Sequence, residues 1–139
     1  MEPYIYLDHT ADVKFAAYGK TLEEGFANAL FAMVNLMTEA EGMIPTIKKR
    51  ILVSGPDKEA LLYRFLEEAL FIYETEGFMP CGVEEIRIVL NGKPSLEATL
   101  VLDDARKYEI RDYIKAVTYN EMEIKEEGGK WILNVVLDV

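Results

Sequence analysis

The sequence predicts an α+β fold: two helices packed on a mostly antiparallel or mixed β-sheet, in a single domain over residues 1–139. Three observations carry this. Two stretches repeat apolar residues at helical spacing, each behind a capping residue. The other segments alternate apolar and polar residues with the period of a strand. Two of the turns between them, Asn91-Gly92 and Gly128-Gly129, are hairpin dipeptides.

The elements follow in order. Residues 3–7 and 12–18 read as strands; in the second, Val13, Phe15 and Ala17 alternate with Lys14, Ala16 and Tyr18. After Gly19, Thr21 is placed as an N-cap and Glu24, three residues on, completes the capping-box pattern. The helix that follows carries Leu22, Phe26, Ala29, Leu30, Met33 and Met37 on one stripe, which core packing explains better than a cofactor pocket. Gly42 and Pro45 punctuate its exit.

Residues 46–54 alternate again, with Ile47, Ile51 and Val53 on one face; Lys49 interrupts that face and predicts an edge position. Ser54-Gly55-Pro56 turns the chain and Asp57 caps a second helix to about Glu76, striped by Leu61, Leu62, Phe65, Leu66, Ala69, Leu70 and Tyr73. No glycine-rich phosphate-loop pattern surrounds Ser54-Gly55, and the order of elements is not that of a doubly wound nucleotide fold.

Beyond Gly77 the chain reads wholly as strand. Ile86, Ile88 and Leu90 precede Asn91-Gly92, and Leu96, Ala98, Leu100 and Leu102 return from it. Asp103-Asp104 reads as a solvated strand end rather than a site. An extended segment runs from Asp112 to Lys125, then Gly128-Gly129 turns into a last strand from Trp131 to Asp138. Both faces of that strand are apolar, which predicts a central strand covered on both sides.

Composition narrows the function. A net charge of -10, with 25 acidic against 15 basic residues, disfavours direct phosphate-driven binding of nucleic acid. It suits a metal site or a basic partner. No leader or membrane span is expected, so the chain reads as soluble and cytoplasmic. The single cysteine, Cys81, excludes an intrachain disulfide and Cys-rich zinc sites, and the single histidine, His9, excludes two-His metal motifs. A Cys/His nucleophile pair would have to join Cys81 to His9. Cys81 lies between Pro80 and Gly82 in an expected turn, and a small, partly buried residue is the better reading.

Two stretches concentrate polar chemistry. Asp8-His9-Thr10-Ala11-Asp12 crowds charge, hydroxyl and imidazole between two apolar runs, and the final strand ends in Asp138-Val139. A terminal carboxyl with an unperturbed pKa of ~3.3–3.7 is ionised at neutral pH. Beside Asp138 it makes a pair of anions that needs a cation or donors. If the first loop lies beside that strand end, Asp12 joins them, and three hard oxygen donors suit Ca²⁺ or Mg²⁺ better than Zn²⁺. On spacing alone, a turn capped by Asp8 and Thr10 and a solvated end at Asp138 stand ahead of the metal site.

Four separated motifs together resemble the archease family: Asp8-His9-Thr10-Ala11-Asp12, the Thr21-Leu22-Glu23-Glu24 helix start, Lys115-Ala116-Val117-Thr118-Tyr119, and Val136-Leu137-Asp138-Val139. The resemblance spans nearly the whole chain and implies the archease fold. It implies an accessory protein, not an enzyme, that activates the RtcB-type tRNA-splicing ligase by promoting its GTP-dependent guanylylation and multiple turnover. RNA would then be met only through the ligase, and no membrane is involved. The resemblance also implies a divalent cation, calcium before magnesium or manganese, held by Asp12, Asp138 and the main-chain carboxylate of Val139. Asp8 and His9 would shape the loop or face the partner, with Lys115 neutralising nearby carboxylates or touching the ligase. Asn120 departs from the histidine that many family members carry after the Thr-Tyr pair, so a role needing an imidazole there is lost while hydrogen bonding survives. Two other readings use the same carboxylates: a small metal-dependent hydrolase with His9 as base, and a general chaperone or interaction domain with a structural metal.

Overall fold

A computed structural model describes residues 2–8 and 11–139 of the protein. The strands are β1 (Tyr4–Leu7), β2 (Val13–Gly19), β3 (Ile47–Ser54), β4 (Phe78–Val89), β5 (Ser95–Asp104), β6 (Ala116–Glu127) and β7 (Lys130–Asp138). The helices are α1 (Leu22–Met37), between β2 and β3, and α2 (Lys58–Glu76), between β3 and β4. The α+β class and the order of elements are those expected. The strands divide into two antiparallel sheets, ordered β1-β2-β7-β6 and β3-β5-β4.

Both helices are fixed by local chemistry at their ends. The Glu24 amide donates to Thr21 Oγ1 at 3.1 Å, while the Glu24 carboxylate reaches back to the Lys20 amide. Asp57 accepts from the Ala60 amide at 2.8 Å, and α2 stops at Gly77 in the left-handed conformation (φ 73°). Each helix then packs against both sheets. α1 meets β1, β2 and β7 of one and β4 of the other; α2 meets β6 of one and β3, β4 and β5 of the other. The helices thus form the filling between two sheets, which is why their buried arcs are wider than a single stripe. Phe26 and Phe65, both fully buried, join them with ring centroids 5.8 Å apart. Tyr6 ties the edge strand β1 to α1 by donating to the Ala32 carbonyl at 3.0 Å, and burial pushes its hydroxyl up to about 12.

The last strand is central, as its composition predicts, because β7 runs between β2 and β6. Its two faces are covered differently. Leu133, Val135 and Leu137 face the helices and are buried in the core. On the opposite face Val136 is fully buried with no helix over it. Its register partners are Lys14 on β2 and Thr118 on β6, and the Lys14 ammonium pairs with Glu121 on β6 at 3.0 Å. The Lys14–Glu121 pair therefore spans β7 and ties β2 to β6.

The second sheet shows one expectation met and two corrected. Lys49 does sit on an edge strand, where it pairs with Glu76 at the end of α2. Cys81 is not in a turn but within β4, at a bulge between Pro80 and Gly82 where the strand shifts register. Asp103 is not a solvated strand end: it is 2% exposed. Its carboxylate accepts hydrogen bonds from Thr46 Oγ1 at 2.6 Å, from the Tyr108 hydroxyl and from Lys107 Nζ at 3.0 Å. The 3₁₀ turn at Ala105–Lys107 folds Lys107 and Tyr108 back over it, and Thr46 reaches it from the segment before β3. The bonds from Thr46 and Tyr108 hold the carboxyl well below the usual carboxylate range. Its neighbour Asp104 is lowered to about 2 by Arg106.

Two outcomes follow from this packing. A β-carbon on Gly19 would lie 2.3 Å from the Gly25 amide nitrogen and 2.6 Å from the Thr21 carbonyl oxygen, both backbone atoms. Gly19→Ala should therefore cost about 1–3 kcal/mol or more, read as a lower urea midpoint with unchanged slope. For Asp103, whose folded pKa lies below the unfolded ~3.9, the stabilisation is complete above that value and is lost as pH falls toward the folded one. Asp103→Asn should melt earlier than wild type at pH ~7, with the gap closing as pH falls through ~4 toward ~2; a Tm series across that range checks it.

Candidate functional site

The site grows from the pairing of β2 with β7. Val13 lies opposite Leu137 in the antiparallel register. Asp12 directly precedes β2 and Asp138 is the last residue of β7, so both lie at the end of the ladder that this pair closes. On the other side of β7, Ala116 pairs with Asp138, and the Lys115 amide extends the ladder by donating to the Asp138 carbonyl at 2.7 Å. Three segments expected to share a site, around residues 12, 115 and 138, therefore meet at one end of the first sheet. The last residue of β1 is at the same end, because Leu7 pairs with Lys14.

The expected residues are placed as follows. Asp12 and Asp138 are half-buried, Val139 is 38% exposed, and Asp8 and Lys115 are exposed. His9 and Thr10 lie outside the described residues, so the expectations placed on them find no structural statement. Ala11, next to Asp12, has φ 72°, a left-handed conformation that an L-residue adopts only where its surroundings hold it there. Asn120 is exposed on β6, with its amide donating to Thr118 Oγ1 at 3.2 Å, while Thr118 Oγ1 donates to the Val136 carbonyl at 3.0 Å. That chain of bonds shapes the backbone beside the site without an imidazole.

The chemistry of this end is that of hard oxygen donors. Among the described residues no three His, Cys, Asp or Glu side chains gather closely enough to hold a metal ion. Asp12 and Asp138 belong to the same end of the sheet, and a further donor would have to be main chain, as Val139 can supply. Carboxylate and main-chain oxygens fit a hard divalent cation such as calcium, and the absence of sulfur and imidazole among the described donors fits zinc poorly.

Nucleophilic chemistry finds less support. Cys81 lies on the other sheet, half-buried, and burial pushes its thiol up to about 11, so it is protonated at neutral pH. Tyr119 stacks on Tyr63 of α2 with centroids 4.3 Å apart and planes 14° from parallel. Its ring belongs to the packing of β6 on α2, as its place in a sheet motif suggests.

Two residues beside the aspartates escape the sequence. Lys14 shares the sheet face of Asp138, and Glu121, its partner, has φ 57° where β6 slips register between Thr118 and Glu123. Lys14 could have been placed by the alternation of β2. Nothing local marks Glu121, because a bulge depends on the partner strand.

Comparison with known proteins supplies the family. The archease protein family matches residues 4–139. The protein archease of Methanosarcina mazei is 40% identical, with 98% of this chain and 95% of the relative covered. The protein archease of Sulfurisphaera tokodaii is 34% identical over the whole of both chains. The solution structure of a Methanobacterium thermoautotrophicum protein superposes with a TM-score of 0.85 at 34% identity, covering all of both chains. The crystal structure of a Thermotoga maritima archease, described as a possible chaperone, gives 0.60 at 25% identity over 96% of this chain and 94% of that one. With a fold shared end to end and the family matched from the first strand to the last residue, this chain belongs to the archease family.

Proposed function

We propose that the protein is an accessory factor of the RtcB-type tRNA-splicing ligase, promoting its GTP-dependent guanylylation and its multiple turnover. Membership of the archease family supports the role, and the β2–β7 pairing that ends at Val13 and Leu137, the neighbours of Asp12 and Asp138, is the observation that supports the site. Asp12, Asp138 and the main-chain oxygens of Val139 would hold a divalent cation, calcium before magnesium or manganese. Bound there, the cation would supply a fixed positive centre among otherwise repelling carboxylates. The chain's own part is to hold those donors on a rigid strand end and to present them, with exposed Lys115 and Asp8, to the ligase. His9 belongs to the same loop and would help to shape it.

The net charge of -10 favours docking on a basic, RNA-binding surface of the ligase, with RNA reached only through it. The described helices include none long and apolar enough to cross a membrane. The Thermotoga relative's description suggests a second reading, a general chaperone whose metal is structural.

Ligase guanylylation measured with Asp12→Ala or Asp138→Ala protein should lose most of its stimulation; full stimulation by both variants would sink the site assignment. Binding to unrelated unfolded clients, unaffected by Asp12→Ala, would favour the chaperone. Because exposed charges are screened within ~8 Å at physiological ionic strength, association with the ligase should slow as salt rises from ~0.05 to ~0.5 M. Stopped-flow association rates test this, and a flat salt dependence would remove electrostatic steering.

A further inference from the structure

Lys14 is the cation already present on the face that carries Asp138. Residues opposite one another in an antiparallel pair share a face, and side chains alternate along each strand. Lys14 pairs with Val136, two residues from Asp138 along β7, so Lys14, Val136 and Asp138 lie on the same side of the sheet, and Asp12 directly precedes β2 at that end. The diagonal step from Lys14 to Asp138 is ~7–8 Å, within reach of a flexible four-carbon side chain. Yet the ammonium sits 3.0 Å from Glu121 Oε1, on the far side of β7, and the side chain is only 20% exposed.

Glu121 is held for that contact. It lies in the stretch of β6 where the ladder with β7 is broken, between Thr118 and Glu123, and its backbone is left-handed. A bulge of this kind re-aims a side chain that regular pairing would direct elsewhere. The hydrogen bonds of Thr118 to the Val136 carbonyl and from the Asn120 amide pin the start of the bulge to β7.

We propose that Lys14 is an internal competitor for the Asp12–Asp138 carboxylates and that Glu121 holds it off, so that the Lys14–Glu121 pair sets how readily the site takes a divalent cation. The inference rests on the metal reading above. With Glu121 in place, the ammonium is neutralised away from the aspartates and the strand end accepts a metal. Without that partner, the aspartates are the anions that the register brings nearest to Lys14, and its ammonium would have to be displaced before a metal enters. Glu121 is a positioning residue in this scheme and touches no metal.

Calcium titrated into the purified full chain by isothermal calorimetry gives the test. Glu121→Gln should weaken affinity about tenfold, the low end of what partners of metal ligands contribute. Lys14→Met should bind at least as tightly as wild type. The double variant should bind like Lys14→Met alone, since Glu121 acts through Lys14. Melting of each variant without calcium shows that it is folded. If Glu121→Gln does not fold, Glu121→Asn removes the same charge with a side chain that tolerates left-handed backbone. Equal weakening by Glu121→Gln with and without Lys14, or no weakening at all, would overturn the inference alone. No calcium binding by wild type would overturn the metal reading and this inference together.

Discussion

The pairing of β2 with β7 is the constraint on which the rest depends. It joins the β1–β2 and β6–β7 pairs into one sheet and places the most apolar strand in its interior. Its odd-numbered residues complete the floor beneath α1, where Leu133 packs so near the helix that Gly25 has no room for a side chain. Its last residue defines where Asp12, Lys115 and Asp138 come together. A one-residue slip would turn Leu133, Val135 and Leu137 outward and move Asp138 to the wrong face. Core burial and site geometry are thus set by the same register, and the hydrophobic term enforces both.

What the sequence made legible was local. Thr21 with Glu24, Asp57 with Ala60 and the stop at Gly77 are contacts within a few residues of chain, so the residue types announce them. Gly128-Gly129 joins β6 to β7 by the expected two-residue turn, whereas Asn91-Gly92 sits in a longer loop, residues 90–94, between β4 and β5. The division into two sheets was not legible, since apolar alternation names a buried face without naming the partner strand. Asp103 shows the same limit: its donors Tyr108 and Lys107 are near in sequence, but Thr46 arrives from before β3, and burial follows from all three. The proposed site comes from its residue types and family resemblance. The pairing of Val13 with Leu137, which brings the two parts of that site to one end of the sheet, spans nearly the whole chain.

The outer face of the first sheet illustrates how a polar residue can serve packing and charge at once. Lys14, in register with Val136, has a side chain only 20% exposed while its ammonium is met by Glu121. A helix laid over this face would have buried Val136 as well, but it would also have closed the approach to Asp12 and Asp138. A side-chain cover leaves the carboxylates half-buried and reachable.

The separation in sequence between β2 and β7 also bears on how the protein comes to be folded. Closing a loop that contains both helices and the whole second sheet is entropically expensive and, as a non-local contact, slow. The helix caps and the β4–β5 and β6–β7 hairpins can form early from neighbouring residues, whereas the edge that receives β7 stays open until the chain has been made through its final strand. An end of the sheet assembled only by that closing step does not exist on a nascent or half-folded chain. On the proposed function, a partner that reads that end would read a finished fold.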